Sequence, residues 1–189
     1  WFTMDAINTG LGEVPEEAKR MSPRETIRSF LNFTEEENYA DAAHLLNLAD
    51  VDPSEQSTRG AELAKQLAEV LRRGEWLNAS NLPGRQDAAI EDPSGQNPLA
   101  GEPRRNIELA ALQVEGQAYD VRLGRYRVGE EDPVWLIMPE SVSSIPALYE
   151  EYGPSMLESY IPERFKASFG VLKVWEWLAI PVFQVTIGI

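Results

Sequence analysis

The sequence offers few side chains that could perform catalysis. There is no cysteine, which excludes disulfides, thiolate metal sites and cysteine nucleophiles. His44 is the single histidine, so any Ser-His-Asp triad would have to use it. It lies beside Ala43 and Leu45 in a helical pattern, which is typical of a structural histidine. No Gly-x-Ser-x-Gly, Walker or His-Glu-x-x-His motif occurs. We therefore expect no enzymatic activity, no cofactor and no metal site.

Carboxylates cluster at residues 35–37, 130–132 and 150–151, where they could bind a divalent cation or pair as acid and base. Each cluster falls at a predicted helix start, turn or exposed helix face. Carboxylates at such positions serve helix capping and solubility. We assign none of them a catalytic or metal-binding function.

The charge balance restricts the partners. The 189 residues include 31 acidic and 17 basic side chains, a formal net charge of -14. Such a field repels phosphate backbones, so nucleic acid is not an expected partner. With 189 residues, of which 43% are hydrophobic, the chain is expected to fold as one domain or as one domain with an appendage.

Three amphipathic helices are predicted in the first part of the chain. The first begins with Ser22 as N-cap and Glu25 at the capping-box position. Thr34 and Glu37 repeat this spacing, and we expect them to begin the second helix. The third helix is expected from about residue 55 to Arg73, with Gly74 as its stop. The short connection between the first two helices predicts a helical hairpin.

Alternating apolar residues replace the helical period after residue 106. Two strands joined by a hairpin through Glu115 and Gly116 are predicted, followed by a third strand over Pro133–Met138. Helical spacing returns in "ESVSSIPALYEEYG", with Gly153-Pro154 as a stop, and "SMLESYIPERF" predicts a further short helix. The expected fold class is α+β: three N-terminal helices packed on an antiparallel sheet of about three strands.

The last stretch, "VWEWLAIPVFQVTIGI", permits more than one interpretation. Trp177–Ile189 gives 13 residues without charge, whereas about 20 are needed to cross a bilayer, so length alone favours a core segment or a final strand. Trp175 and Trp177 lie where an interfacial aromatic belt would be, which favours the start of a membrane span.

A family resemblance favours the span. The segments "SPRETIRSFL", "NYADAAHLLNL", "RGAELAKQLAEVLRR", "GEWLNASNLP", "PVWLIMPESVSSIPALYEEYG" and "VWEWL", in this order, resemble the N-terminal extramembrane domain of some bacterial small-conductance mechanosensitive ion channels. The resemblance implies a homoheptameric channel of the bacterial inner membrane, with this domain on the periplasmic side. It also implies contact with the lipid bilayer through four residues: Trp175, Trp177, Leu178 and Ile180.

The domain limits follow from these patterns and from the resemblance. We expect an extended lead-in over residues 1–21 and a globular extramembrane domain over residues 22–165, with a mobile loop at 82–106. Residues 166–189 are expected to approach the membrane and to form a truncated first transmembrane helix. The expected function is non-catalytic: bracing or capping the first membrane helix and assisting assembly.

Two alternatives remain open. The first is a membrane-anchored accessory subunit of a larger complex, which uses the same tail as an anchor. The second is a small-ligand binder, because a "PxxxxxxFL" helix followed by "Y-x-x-A" resembles nuclear-transport-factor-like cone domains. Its candidate pocket residues are Tyr39, Tyr119, Asp120 and Trp135.

Overall fold

The computed structural model describes residues 1–73, 77, 79–90, 92, 94–154, 168–169 and 172–173. The chain divides into two compact units, Trp1–Gly153 and Pro154–Ile189. In the described part of the first unit, four α-helices accompany a four-stranded sheet. The predicted mixed α+β class is confirmed.

Helix α1 spans Pro23–Glu35 and begins where the capping signal predicts. The Ser22 hydroxyl accepts a hydrogen bond from the Glu25 backbone N–H at 3.3 Å and donates to the Glu25 carboxylate at 3.1 Å. Ile27 and Phe30, one helical turn apart, are fully buried. The cap therefore fixes the point at which the apolar face of α1 enters the core.

The second helix differs from the prediction. Thr34 lies inside α1 and its hydroxyl donates to the Leu31 carbonyl at 3.0 Å, so it is not an N-cap. Helix α2, Tyr39–Ala42, begins after Asn38, whose side chain accepts from the Asp41 N–H at 3.3 Å. It has one α-helical turn and continues as the 3₁₀ turn Ala43–Leu45. The Thr34–Glu37 prediction was wrong because a threonine in a last helical turn satisfies the same spacing.

Helix α3 spans Gln56–Arg73, as predicted. Leu63, Leu67 and Val70 form its buried stripe, and Gly60 lets it approach Ala43 closely. The expected stop at Gly74 lies outside the described residues.

Three strands form the antiparallel part of the sheet: β2 (Asn106–Val114), β3 (Gln117–Val128) and β4 (Val134–Ile137). The predicted turn joins β2 and β3, with φ of 49° at Glu115 and 83° at Gly116. A register shift between Glu108 and Ala110 explains why the alternation along β2 changes phase.

The first 21 residues were expected to precede the fold, and this expectation was wrong. Phe2–Met4 form strand β1, which pairs in parallel with β3 from Tyr126 to Val128. Further along, the Asn8 side chain bonds to backbone groups after the 3₁₀ turn, and the Gly10 N–H donates to the Gln56 side chain at 2.8 Å. A strand of three residues is too short to show a sequence period.

Helix α4, Pro139–Tyr152, follows β4 directly and ends at Gly153, as predicted. It packs against α3 and β3. The core that joins helices and sheet is filled by large, fully buried side chains, among them Phe30, Leu45, Trp135 and Ile145.

Residues 82–106, apart from Asn106 at the start of β2, have turns and one isolated bridge, Ile90 to Ala100, in their described part. Their mobility stays a prediction. In the second unit, β5 (Ser168–Phe169) and β6 (Leu172–Lys173) pair antiparallel. The predicted "SMLESYIPERF" helix and the four proposed membrane-contact residues lie outside the described residues. Of the helices that the structure describes, none has the length and apolar character needed to cross a bilayer.

Candidate functional site

A cleft beside the start of α1 is lined by three arginines. We call it the arginine cleft: a cavity of about 440 Å³ that Arg24, Arg85 and Arg104 share with both apolar and polar residues. The remaining lining residues are Asn81, Leu82, Pro83, Gly84, Ala89, Ile90, Ile107 and Glu108. The cleft is open to solvent beside the start of α1 and of β2.

Backbone and side-chain hydrogen bonds hold Arg24 beside the cleft. Its N–H donates to the Pro83 carbonyl at 3.2 Å, and its Nε donates to the Leu82 carbonyl at 2.9 Å. Gly84 leaves room for the guanidinium, because a Cβ at this position would lie 3.1 Å from Arg24 Nη1. The start of α1 and the segment after the 3₁₀ turn Ala79–Asn81 are thereby fixed to each other.

The other two arginines are held through Asp87. Arg85 Nε and Nη2 each lie 2.9 Å from an Asp87 carboxylate oxygen, a bidentate pair. The hydrogen bonds from Arg85 hold the pKa of the Asp87 carboxyl well below its usual range, which keeps it ionised. The Arg104 N–H donates to the Asp87 carbonyl at 2.9 Å. Asp87 thus neutralises Arg85 and positions the backbone that carries Arg104.

A second cleft, of about 270 Å³, contains the single histidine. His44 and Tyr126 line it together with Arg20, Glu131 and Asp132. Burial raises the pKa of Tyr126 to about 12, although a hydrogen bond with Asn47 opposes the shift. The described lining includes acids and an imidazole but no serine or threonine hydroxyl. It therefore lacks the nucleophile that a histidine-based triad requires.

Stability is expected to fall on acidification through His44. Burial, and then the positive charge of Arg20, lower the pKa of His44 below its ordinary value of 6.5, while Asp41 opposes the shift. The unfolded chain therefore takes up a proton at pH values where the folded chain does not. The contribution of His44 to the free energy of unfolding is complete above about pH 6.5 and is lost as the pH falls below that value.

Urea unfolding of the full chain at pH 7.5 and 5.5 measures this effect. Between these two pH values, the urea concentration at the unfolding midpoint should fall more for the native chain than for His44→Gln. An equal loss in both would contradict the assignment.

The four pocket candidates from the sequence do not converge. Trp135 is fully buried in the core. The Lys65 ammonium lies over the Tyr39 ring, 5.9 Å from its centre. Tyr119 and Asp120 line a separate groove of about 380 Å³ with Arg122. That arginine pairs with Glu108 at 3.0 Å and with Asp120 at 3.7 Å. The structure brings together only Tyr119 and Asp120 of the four.

Two of the three acidic clusters lie at connections between elements. Glu37 has a left-handed backbone between α1 and α2, and Glu130 forms a 3.4 Å ion pair with Arg127 beside the turn after β3. Within the described part of the chain, no three His, Asp or Glu side chains lie close enough together to hold a metal ion.

Sequence reasoning did not find the arginine cleft. Arg24 falls in the first turn of the first predicted helix, and Arg85 and Arg104 lie near opposite ends of the segment predicted to be a mobile loop. Composition gave no signal for the site, because residues 85–105 contain three arginines and four acidic residues.

Comparison of the chain with protein-family models, with curated proteins and with solved structures finds no match.

Proposed function

We propose that this chain is a non-catalytic extracytoplasmic domain of a mechanosensitive ion channel, followed by the start of its first membrane helix. In this proposal the protein is a homo-oligomer of the bacterial inner membrane, heptameric by resemblance, with the domain on the periplasmic side. The observation that carries it is the division at Gly153. A self-contained unit precedes a segment in which Trp175 and Trp177 lead into an uncharged run.

The periplasmic position in this proposal rests on the family resemblance and not on charge. Lysine and arginine within about 15 to 20 residues of a membrane helix favour the cytoplasmic side, whereas acidic residues contribute little. Residues 163–177 hold three such residues, Arg164, Lys166 and Lys173.

The packing of the first unit supports a mechanical role. Three N-terminal helices and a sheet share one core, and Trp135, Phe30 and Leu45 are fully buried within it. Interiors packed in this way deform little under load. A rigid body attached to the outer end of the first membrane helix would resist the tilt that bilayer tension imposes. The same filled core gives little support to a cone-shaped ligand pocket between helices and sheet.

Removing the domain is expected to lower the tension at which the channel opens. The deletion should cover residues 1–153, because β1 belongs to the sheet and a deletion from residue 22 would leave it behind. Patch-clamp recording of the intact protein and of the deletion variant measures the opening threshold. An exposed substitution, Leu99→Ala, serves as a control that leaves the domain in place. An unchanged threshold together with unchanged assembly would refute the bracing function.

A further inference from the structure

We propose that the arginine cleft binds a small phosphate-bearing anion, with Arg24 and Arg104 supplying the uncompensated positive charge. The cleft lies within the Trp1–Gly153 unit. Its ligand can therefore be tested whether or not the chain belongs to a channel.

The cleft carries positive charge that the described structure does not neutralise. Arg85 is paired with Asp87, and Glu108, the single carboxylate among the described lining residues, is paired with Arg122. Arg24 makes its side-chain hydrogen bond to a backbone carbonyl, and the described structure shows no carboxylate partner for it. Arg104 makes no side-chain hydrogen bond or ion pair with any residue that the structure describes.

Other described arginines, such as Arg28 and Arg105, also have no ion pair, but Arg24 and Arg104 line the same cavity. Guanidinium groups that share a cleft repel one another, and this repulsion disfavours the folded state. The chain has 31 acidic and 17 basic residues, so carboxylates that could pair with these arginines are plentiful. In the described structure neither Arg24 nor Arg104 pairs with one, and both guanidinium groups line one cavity. A bound anion would remove the repulsion.

The geometry favours phosphate. The arginines come from three segments. Arg24 lies in α1, Arg85 follows the 3₁₀ turn Ala79–Asn81, and Arg104 lies just before β2. A planar carboxylate uses one guanidinium fork, whereas a tetrahedral phosphate has oxygens that several donors can reach from different directions. A phosphomonoester dianion matches the two unpaired charges.

The apolar wall favours a phosphate ester with an organic part. Leu82, Ile90 and Ile107 line the same cavity, and about 440 Å³ exceeds the volume of a phosphate group alone. Such a group could come from a soluble phosphate ester or from a phospholipid headgroup. The chemistry recognised is the same in both cases.

The test is thermal unfolding of the full chain in a non-ionic detergent, titrated with inorganic phosphate. Sodium chloride at equal ionic strength separates binding from screening. We expect a saturable rise of the midpoint with phosphate, since a ligand that binds only the folded state stabilises it. Arg104→Gln should weaken the apparent phosphate affinity about tenfold, the effect of losing one charge-assisted contact.

Control variants make the result specific. Arg104 has no side-chain partner in the described structure, so Arg104→Gln should fold normally without phosphate. Arg59→Gln removes an exposed arginine of α3 that pairs with Glu62, and it should bind phosphate as the native chain does. Arg24→Lys keeps the charge but not the planar fork, so an intermediate loss of affinity is expected.

The source of the phosphate is resolved by a second titration with dihexanoyl phosphatidic acid below its micelle concentration. Tighter binding than inorganic phosphate, lost in Arg104→Gln, would support the site and assign it to a lipid headgroup. Equal binding of the two would support a soluble phosphate ligand. The proposal is overturned if phosphate shifts the midpoint no more than chloride does, or if Arg104→Gln and the native chain shift equally.

Discussion

Replacing Trp135 with alanine is expected to lower the free energy of unfolding by about 4 kcal/mol. Trp135 lies in β4 and is fully buried, and its Nε1 donates to the Gln86 carbonyl at 2.8 Å. Its own carbonyl accepts from the Thr26 hydroxyl of α1 at 3.1 Å, and its N–H donates to the Arg20 carbonyl at 2.7 Å. Removing the indole would leave a cavity where the sheet, α1 and the segment that contains Gln86 meet.

Urea unfolding followed by far-ultraviolet circular dichroism measures this effect without relying on tryptophan fluorescence. Trp135→Phe keeps most of the buried volume but loses the Nε1 hydrogen bond, so a loss of about 1 to 2 kcal/mol is expected. Leu99→Ala, at a side chain that is 60% exposed, should change stability by less than about 0.5 kcal/mol. If Trp135→Ala and Leu99→Ala had the same midpoint, the central position of Trp135 in the core would be wrong.

Replacing Asn8 with alanine is expected to destabilise the fold by about 3 kcal/mol. The buried Asn8 amide donates to the Leu46 carbonyl at 2.7 Å and accepts from the Leu48 N–H at 2.9 Å. Without it, both backbone groups lose their partner, although Leu46 and Leu48 are fully buried. Asn8 also has a left-handed backbone, with φ of 48°, which alanine adopts at a cost of about 1 kcal/mol.

Asn8→Gly separates the two contributions. Glycine adopts the left-handed backbone without strain but cannot make the hydrogen bonds, so we expect a loss of about 2 kcal/mol. The difference between the glycine and alanine variants then gives the conformational part. A native unfolding midpoint in Asn8→Ala would mean that the first 21 residues are not part of the cooperative fold.

The sequence predicts those parts of this fold that local interactions determine. Residues close together in the chain determine the apolar repeat of α3, the turn at Glu115 and Gly116, and the limits of α4. Their propensities and turn chemistry agree with the final structure. The same reasoning placed Ser22 correctly as a cap.

The parts that it missed depend on distant contacts. Strand β1 is stabilised by residues about 124 positions away, in the pairing of Phe2 with Tyr126. The arginine cleft joins Arg24 to Arg104, and neither segment contains a motif for the site that they form. The net charge of -14 correctly describes the field at long range, but it conceals a local concentration of guanidinium groups.

The most direct test of the proposed function is patch-clamp recording from the intact protein that contains this chain. It should be expressed in the inner membrane of bacterial cells that lack their own mechanosensitive channels. We predict discrete currents that appear when suction is applied to the patch and disappear when it is released. Protein that is present in the inner membrane but produces no tension-gated current would contradict the channel assignment and favour an anchored accessory subunit.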